Sequence, residues 1–193
     1  RRMKLFTEER DAETFDEIWL LEHPSVYTLG QAGSPEHIVT PRDIPIVKTD
    51  RGGQVTYHGP GQLVGYLLID IKRLRIGIRT LISGIERSIV ELLRKYGIEA
   101  MARKNAPGVY VAGRKIASLG LRVRKGCSYH GLSLNVDMDL APFRDINPCG
   151  YEGLEVVDLK TLGLAITISQ VADRLAAIIG VEFAYDALIK EKT

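Results

Sequence analysis

The feature that most constrains the fold is an apolar segment over residues 63–71, followed closely by a helical pattern over residues 78–96. An apolar segment of this length is typical of a strand that is buried on both faces. In the second stretch, apolar residues recur at three- and four-residue spacing, which predicts an amphipathic helix that ends at Gly97. Its apolar stripe consists of Ile78, Leu81, Ile82, Ile85, Ile89, Leu92, Leu93 and Tyr96. We therefore expect sheet and helix to share one core.

Shorter patterns predict further strands. They lie at residues 18–21, 25–29, 46–49, 108–111, 115–123, 132–140 and 181–185. The turn signal at residues 112–114 joins two of them in a hairpin. Apolar and polar residues alternate strictly over residues 132–140, which predicts one buried face, with His130 and Gly131 at the start of the strand.

A second helix is predicted over residues 167–179, with Gly180 ending it. Several strands with two well-separated helices indicate an α/β protein of the α+β type, with mixed sheets flanked by helices. A chain of 193 residues is expected to form a single domain, here residues 1–193.

Composition narrows the class of protein. The formal net charge of +2 is too small to indicate nucleic-acid binding, and no apolar run is long enough to predict a membrane span or a secretory signal. Two cysteines, Cys127 and Cys149, do not indicate a disulfide framework, and they favour a reducing, cytoplasmic setting. The sequence begins at Arg1 without a methionine, as a trimmed or processed form would.

A glycine-rich run over residues 51–62 is the strongest candidate for a binding site. It holds four glycines and a proline with one aliphatic side chain, Val55, so we expect it to contribute little to a core. Conformationally costly residues collect at ligand sites, which favours a pocket wall with Arg51, Tyr57 and His58 pointing inward. The alternative is an elaborate loop between strands. The run is neither a P-loop nor a dinucleotide-binding fingerprint.

Cys149 is the candidate nucleophile, because a proline before it and a glycine after it hold the thiol at a defined angle. A thiol acts as a nucleophile in its thiolate form, which a nearby cation stabilises. Two pairings are open from the residues alone. A histidine, His58 or His130, acts as the base of a Cys-His hydrolase, or Lys115 stabilises the thiolate. A solvated edge lysine is the alternative for Lys115, and the same turn can hold an inert Cys149.

Four motifs in one order carry a family resemblance. They are Arg-Gly-Gly-Gln-Val-Thr-Tyr-His-Gly-Pro-Gly-Gln-Leu-Val at residues 51–64, Lys-Ile-Ala-Ser-Leu-Gly at 115–120, Tyr-His-Gly-Leu-Ser-Leu-Asn-Val at 129–136, and Ile-Asn-Pro-Cys-Gly at 146–150. On these motifs the chain resembles the lipoyl(octanoyl) transferase family. It departs from the family pattern at Ser133, where alanine is usual, and after Gly153 the match is loose.

The resemblance implies a fold similar to lipoate and biotin protein ligases. It implies an enzyme that moves an octanoyl group from octanoyl-acyl carrier protein to a lysine of a lipoyl domain, the first step of endogenous lipoate biosynthesis. The acceptors are lipoyl domains of 2-oxoacid dehydrogenases and the H protein of glycine cleavage, and no cofactor, metal, nucleic acid or membrane is involved. Cys149 is then the nucleophile that forms a thioester, and Lys115 lowers its pKa. The implied substrate-binding residues are Arg51, Gly52, Gly53, Gln54, Val55, Thr56, Tyr57, His58, Ser118, Leu119, Gly120, His130, Gly131, Leu132 and Ser133.

Two other enzymes, a non-catalytic binding module and one surface feature stay open. A Cys-dependent thioester hydrolase needs no amine acceptor, and a lipoate-ligase-like enzyme needs ATP but no cysteine. Basic residues in the middle of the chain are either a solvated face or a landing patch for an acidic carrier protein. They are Arg103, Lys104, Arg114, Arg122, Arg124 and Lys125.

Overall fold

A computed structural model describes residues 1–40, 42–104, 106–147 and 153–190. The α-helices in these ranges are α1 (Arg2–Glu9), α2 (Ile78–Arg94) and α3 (Ile168–Glu182). The strands are β1 (Glu17–Leu21), β2 (Val26–Leu29), β3 (Ile46–Lys48), β4 (Val55–His58), β5 (Gln62–Leu68), β6 (Met101–Ala102), β7 (Gly108–Val111), β8 (Arg114–Arg124) and β9 (Cys127–Asn135). Short 3-10 helices occupy Pro35–His37 and Ala141–Asp145.

The strands form two sheets. Six strands pair antiparallel in the order β1-β5-β9-β8-β7-β6, and three pair in the order β3-β2-β4. In the smaller sheet β2 is parallel to β3 and antiparallel to β4, so the sheet is mixed. The predicted α/β fold with sheets and helices is confirmed, and the hairpin at residues 112–114 joins β7 to β8 as expected.

β5 is buried on both faces, as its apolar composition predicts. Leu67 and Ile69 face the main core, which α2 and α3 cover. Leu68 faces a second cluster with Met3 and Tyr129, which α1 covers. Successive side chains of a strand point to opposite faces, so one strand can be buried by two layers only if almost every residue is apolar.

α2 follows its predicted stripe closely. Leu81, Ile85 and Ile89 are fully buried, and the helix ends at Arg94. Gly97 adopts a φ of 72°, a left-handed conformation that lets the chain leave the helix without a Cβ clash. The prediction that Gly97 ends the helix is therefore confirmed within a few residues.

α3 corrects two predictions. Thr167 caps the helix with a capping box to Gln170, but the helix continues through Gly180 to Glu182. A glycine inside a helix costs only about 1 kcal/mol relative to alanine, and here its missing side chain accommodates Leu188. The strand predicted over residues 181–185 is wrong, since this stretch is the last turn of α3 and the turn that follows.

The strand predicted over residues 132–140 is displaced. β9 runs from Cys127 to Asn135 and is buried throughout, because it lies between β5 and β8 in the sheet. His130 and Gly131 are therefore in its middle. Ser133 and Asn135 are polar but buried, so their alternation with leucines does not mark a solvent-facing side.

Three of the strands and α-helices that the structure describes were not predicted from the sequence: β4, α1 and the two-residue strand β6. β4 forms inside the glycine-rich run, and Val55 and Tyr57 belong to a buried cluster with Tyr27 and Phe143. The expectation that this run contributes little to a core is wrong for these two residues. α1 was also missed, because its apolar residues are few. None of the helices in the described ranges combines the length and apolarity that crossing a lipid bilayer requires.

Candidate active site

Both sheets contribute to the walls of a cavity of about 390 Å³. This volume lies within the range of about 300–1,000 Å³ that is usual for small-molecule sites. Most of the predicted pocket residues line it: Arg51, Gly53, Gln54, Val55, Thr56, His58, Ser118, Leu119, Gly120, His130, Gly131, Leu132 and Ser133. The glycine-rich run thus meets β8 and β9 at one place.

Gly52 and Tyr57 do not line this cavity. Tyr57 points to the opposite side of β4, where its ring packs edge-on against Phe143 and its hydroxyl lies 3.0 Å from Ser25 Oγ. The prediction that Tyr57 points into the pocket is wrong, because alternate residues of a strand face opposite ways. Gly52 donates its backbone N–H to the carbonyl of Leu121 and supports the wall from behind.

Arg51 builds the wall rather than projecting from it. Its side chain is buried and donates to the hydroxyl and carbonyl oxygens of Thr28 and to the carbonyls of Gly52 and Gln54. Several hydrogen bonds from one planar guanidinium hold the glycine-rich run against β2. The side chain therefore fixes the shape of the cavity.

Two glycines allow backbones to approach closely at the cavity. A Cβ added at Gly131 would lie 2.2 Å from the carbonyl oxygen of Gly65, and one at Gly120 would lie 2.9 Å from that of Gly52. Contacts this short exclude any side chain at these positions. The small residues of the motifs are thus explained by the geometry of the wall.

His58 is a neutral imidazole on the cavity wall. Burial lowers its pKa to about 4, and the hydrogen bond between Nδ1 and Gln62 Oε1, 2.7 Å long, opposes this only in part. The ring of His23 lies 6.0 Å away, and His23 Nε2 is 2.6 Å from the hydroxyl of Tyr66. At neutral pH these two histidines carry no charge.

His130 is held by Asp50 in a strained conformation. Its φ of 59° is unusual for a non-glycine residue in a strand and costs roughly 1–3 kcal/mol. Its Nε2–H donates to Asp50 over 2.9 Å, and the same carboxylate accepts from Tyr129 and Lys4. Burial lowers the pKa of His130. Burial alone raises the pKa of Asp50, but these three hydrogen bonds hold it below its usual range.

Sequence reasoning missed several lining residues. Val64 and Tyr66 alternate on β5 toward the cavity, and their spacing of two was the signal that could have identified them. Met3 and Arg1 come from the start of the chain, which carries no motif. His23 also lines the cavity.

Lys115 is buried, with 2% of its surface exposed, so the solvated edge lysine is excluded. Its Nζ lies 5.5 Å from the centre of the Tyr110 ring. A Cβ added at Gly108 would lie 2.6 Å from Lys115 Cε, so this glycine provides the space for the side chain. The β7–β8 register shifts between Val109 and Tyr110, which is a way to re-aim the side chains nearby.

Cys149 lies outside the described residues, so the sequence prediction that pairs it with Lys115 is not tested. Before Cys149 in the sequence, Asn147 donates its N–H to the carbonyl of His37. After it, the chain returns to Lys115, which exchanges backbone hydrogen bonds with Glu155 and Val157. The segments flanking Cys149 in the sequence are thus fixed to β8 and to the 3-10 helix Pro35–His37.

Solved structures define the class of protein. Lipoate-protein ligase A bound with ATP matches with a TM-score of 0.78 at 16% identity, over 94% of this chain and 78% of that chain. A bi-partite lipoate protein ligase from Thermoplasma acidophilum gives 0.74 at 18% identity, over 100% and 82%. Biotin protein ligase from Aquifex aeolicus gives 0.55 at 18% identity, over 66% and 52%. The fold is that of the lipoate and biotin protein ligases.

Sequence relatives define the family. The family described as Lipoyl protein ligase A/B catalytic domain matches residues 2–180. The octanoyltransferase of Shewanella amazonensis is 57% identical over 187 residues, 97% of this chain and 87% of that protein. The octanoyltransferase of Stutzerimonas stutzeri is 65% identical over 173 residues, 90% and 79%. The chain belongs to the octanoyltransferases of this family, and it is an acyltransferase.

Proposed function

We propose that this enzyme transfers an octanoyl group from octanoyl-acyl carrier protein to the lysine of a lipoyl domain, through a thioester on Cys149. The observation that carries the proposal is the cavity that joins the glycine-rich run to β8 and β9 in a chain related to octanoyltransferases. The acceptors are lipoyl domains of 2-oxoacid dehydrogenases and the H protein of glycine cleavage. No cofactor or metal is needed for this exchange.

The chemistry needs two acyl transfers. The Cys149 thiolate attacks the thioester carbonyl of the donor, and the carrier-protein thiolate leaves. The lysine amine then attacks the acyl-enzyme, a C–N bond forms, the C–S bond breaks, and the proton from nitrogen returns to the Cys149 sulfur. Lys115 favours the thiolate form, because a buried ammonium stabilises a nearby anion.

The cavity suits an eight-carbon chain. Its wall includes Val55, Val64 and Leu132, and each buried CH₂ contributes about 0.8 kcal/mol to binding. An acyl chain that fills the apolar part of the cavity also keeps water from the acyl-enzyme, which is the difference between a transferase and a hydrolase.

The basic residues of the middle of the chain do not form one patch. Arg114 and Arg124 stand at opposite ends of β8, about 33 Å apart at 3.3 Å per residue. Arg124 pairs with Glu8 and Arg122 with Gln31, whereas Arg114 lies at the Lys115 end, where Arg103 donates to the carbonyl of Gly113. We assign the landing site of the acidic carrier protein to that end.

Charge reversal tests this assignment. Arg114→Glu should raise KM for octanoyl-carrier protein several-fold at low salt, because electrostatic steering is lost, and the effect should shrink as ionic strength rises. Arg122→Glu is the matched control at the far end of the strand. Equal effects of both changes, or no dependence on salt, would refute the assignment.

Intact mass spectrometry tests the function itself. Octanoyl-carrier protein should leave one octanoyl adduct on the enzyme without ATP, and Cys149→Ser should abolish it. Cys127→Ser is the matched control, because burial raises the pKa of the Cys127 thiol and keeps it unreactive. An adduct that requires ATP or survives Cys149→Ser would overturn the proposal, and rapid loss without acceptor would indicate a hydrolase. A cytoplasmic setting and a single domain over residues 1–193 stay predictions.

A further inference from the structure

A chain of side-chain amides runs inward from His58, and its direction is fixed by backbone carbonyls. Gln62 Nε2 lies 2.9 Å from Asn135 Oδ1 and 3.3 Å from the carbonyl oxygen of Tyr57. Asn135 Nδ2 lies 3.0 Å from the carbonyl oxygen of Val157. A carbonyl oxygen can only accept, so the amide nitrogens must face Tyr57 and Val157. Both amide oxygens then face the other way, toward His58 and Gln62.

This arrangement of hydrogen bonds selects one tautomer of His58. Gln62 Oε1 can only accept, so the hydrogen bond of 2.7 Å to His58 requires a proton on Nδ1. Because burial lowers the pKa of His58 to about 4, the neutral ring then has a bare lone pair on Nε2. In the part of the chain that the structure describes, Nε2 makes no hydrogen bond, and His58 lines the cavity.

The two substrates differ in whether they can donate a hydrogen bond to His58 Nε2. An octanoyl chain and its thioester have no N–H or O–H group at the reacting end, and the Cys149 sulfur has no proton to donate when it is a thiolate, as the proposed function requires. The lysine amine has N–H bonds and enters only for the second half-reaction. Burying a hydrogen-bond acceptor without a donor costs free energy, so we expect His58 Nε2 to accept a hydrogen bond from that amine.

We propose that His58 Nε2 accepts a hydrogen bond from the attacking lysine amine, and that Gln62 and Asn135 are positioning residues that fix the imidazole for this task. The inference rests on the proposed function. The hydrogen bond orients one N–H so that the nitrogen lone pair faces the thioester carbonyl. As the C–N bond forms and the C–S bond breaks, the proton leaving nitrogen ends on the Cys149 sulfur, and His58 is unchanged.

The half-reactions separate this role from cavity building. In single-turnover experiments, Gln62→Leu should form the octanoyl adduct within about twofold of the wild-type rate, and His58→Ala should slow formation of the adduct less than it slows transfer from it. Transfer from the adduct to a lipoyl domain should fall about tenfold or more in both variants, since one lost orienting hydrogen bond is worth about that. Gln62→Glu should not restore the transfer rate, because its carboxylate would set an oxygen against the oxygens of Asn135 and Tyr57 and would favour the protonated imidazole, which has no lone pair on Nε2. Ser88→Ala, which removes a buried hydrogen bond within α2, is the matched control.

Nitrogen-15 NMR of the imidazole supplies a readout that a merely structural role would not move. The wild type should show the Nδ1–H tautomer, and Gln62→Leu should shift it toward Nε2–H. An Nε2–H tautomer in the wild type, unchanged transfer in both variants, or equal loss of acylation and transfer would each overturn the inference. If the wild type forms no adduct, the proposed function fails, and the NMR result alone decides whether Gln62 fixes the ring.

Discussion

At the scale of single residues, Gly108 shows how the motif lysine is placed. The missing Cβ leaves space that Lys115 Cε occupies. An added Cβ would also lie 2.5 Å from the carbonyl oxygen of Ala117, so Gly108→Ala should shift β8 together with the ammonium. Under the proposed pairing of Lys115 with Cys149, the variant should raise the pKa of the Cys149 thiol and slow its alkylation by iodoacetamide at pH 7 by about tenfold. Gly113→Ala is a matched control in the same hairpin, since its φ is also positive but the nearest atom to an added Cβ is 3.7 Å away. Equal alkylation rates in the two variants would contradict this role.

His58 should make stability depend on pH. Its pKa is about 4 in the folded protein and 6.5 in its ordinary state, so in this window the unfolded chain binds a proton that the folded chain does not. The free energy of unfolding should fall as the pH is lowered from 6.5 to 4, by about 1–3 kcal/mol from this residue. Urea titrations across that range should show a shallower dependence for His58→Asn. Burial also lowers the pKa of His23 and His130, so a residual slope of the same sign should stay.

Much of the candidate site was predictable residue by residue, because costly residues mark it. The glycines at residues 120 and 131 and the histidines at 58 and 130 stand in the motifs, and the structure brings them to one cavity. The burial of Lys115 was not predictable. It depends on a register shift and on a glycine in the neighbouring strand, and both arise from contacts between separate segments.

At the scale of secondary-structure elements, α1 has the weakest local helix signals among the three α-helices of the described residues. It has eight residues, no capping hydrogen bond from a side chain and no acidic residue in its first turn. Isolated helices of this length are unstable in water, so tertiary contacts must hold it. They include the Lys4–Asp50 ion pair and the packing of Met3 on the sheet.

Hydrogen exchange should rank the helices accordingly. Amides of α1 should exchange at least tenfold faster than those of α2, which has three fully buried leucines and two fully buried isoleucines and is covered by α3. Asp50→Asn should accelerate exchange in α1 and leave α2 unchanged, because only α1 loses an ion pair. Equal protection of the two helices would show that α1 is not a separate opening unit.

The predictions for β9 and α3 were wrong because they relied on local sequence patterns to infer exposure and helix ends. β9 alternates polar and apolar residues, yet both faces are buried because Ser133 and Asn135 lie at a site where polar groups are needed. α3 passes through Gly180 because packing against Leu188 favours a small residue there. In both cases tertiary contacts outweigh local propensity, and a single sequence does not display them.

At the scale of the whole molecule, one carboxylate connects distant parts of the chain. Asp16 Oδ1 accepts from Arg10 and Arg73 and Oδ2 accepts from Tyr185, each over 2.7 Å, and its side chain is 5% exposed. Burial and this bond raise the pKa of Tyr185. Tyr185→Phe should lower the free energy of unfolding by about 1–3 kcal/mol, because a partly buried hydrogen bond to a charged group is lost.

Tyr96→Phe is the matched control for this change. The Tyr96 hydroxyl bonds to Arg174 at an exposed site, so its loss should cost less than about 0.5 kcal/mol. Denaturant midpoints with unchanged slopes would measure both. Similar small costs for the two variants would contradict the idea that Asp16 joins the two ends of the chain.

β5 is a partition only one backbone thick. Val64 and Tyr66 touch the ligand space, while Leu63 and Leu67 belong to the interior that the long helices cover. The length of the acyl chain that the cavity accepts can therefore depend on core residues that do not contact the substrate. Replacing a leucine on the face of β5 that the helices cover would shift this strand slightly. The depth of the cavity would then change less than it would on replacing a residue that lines it.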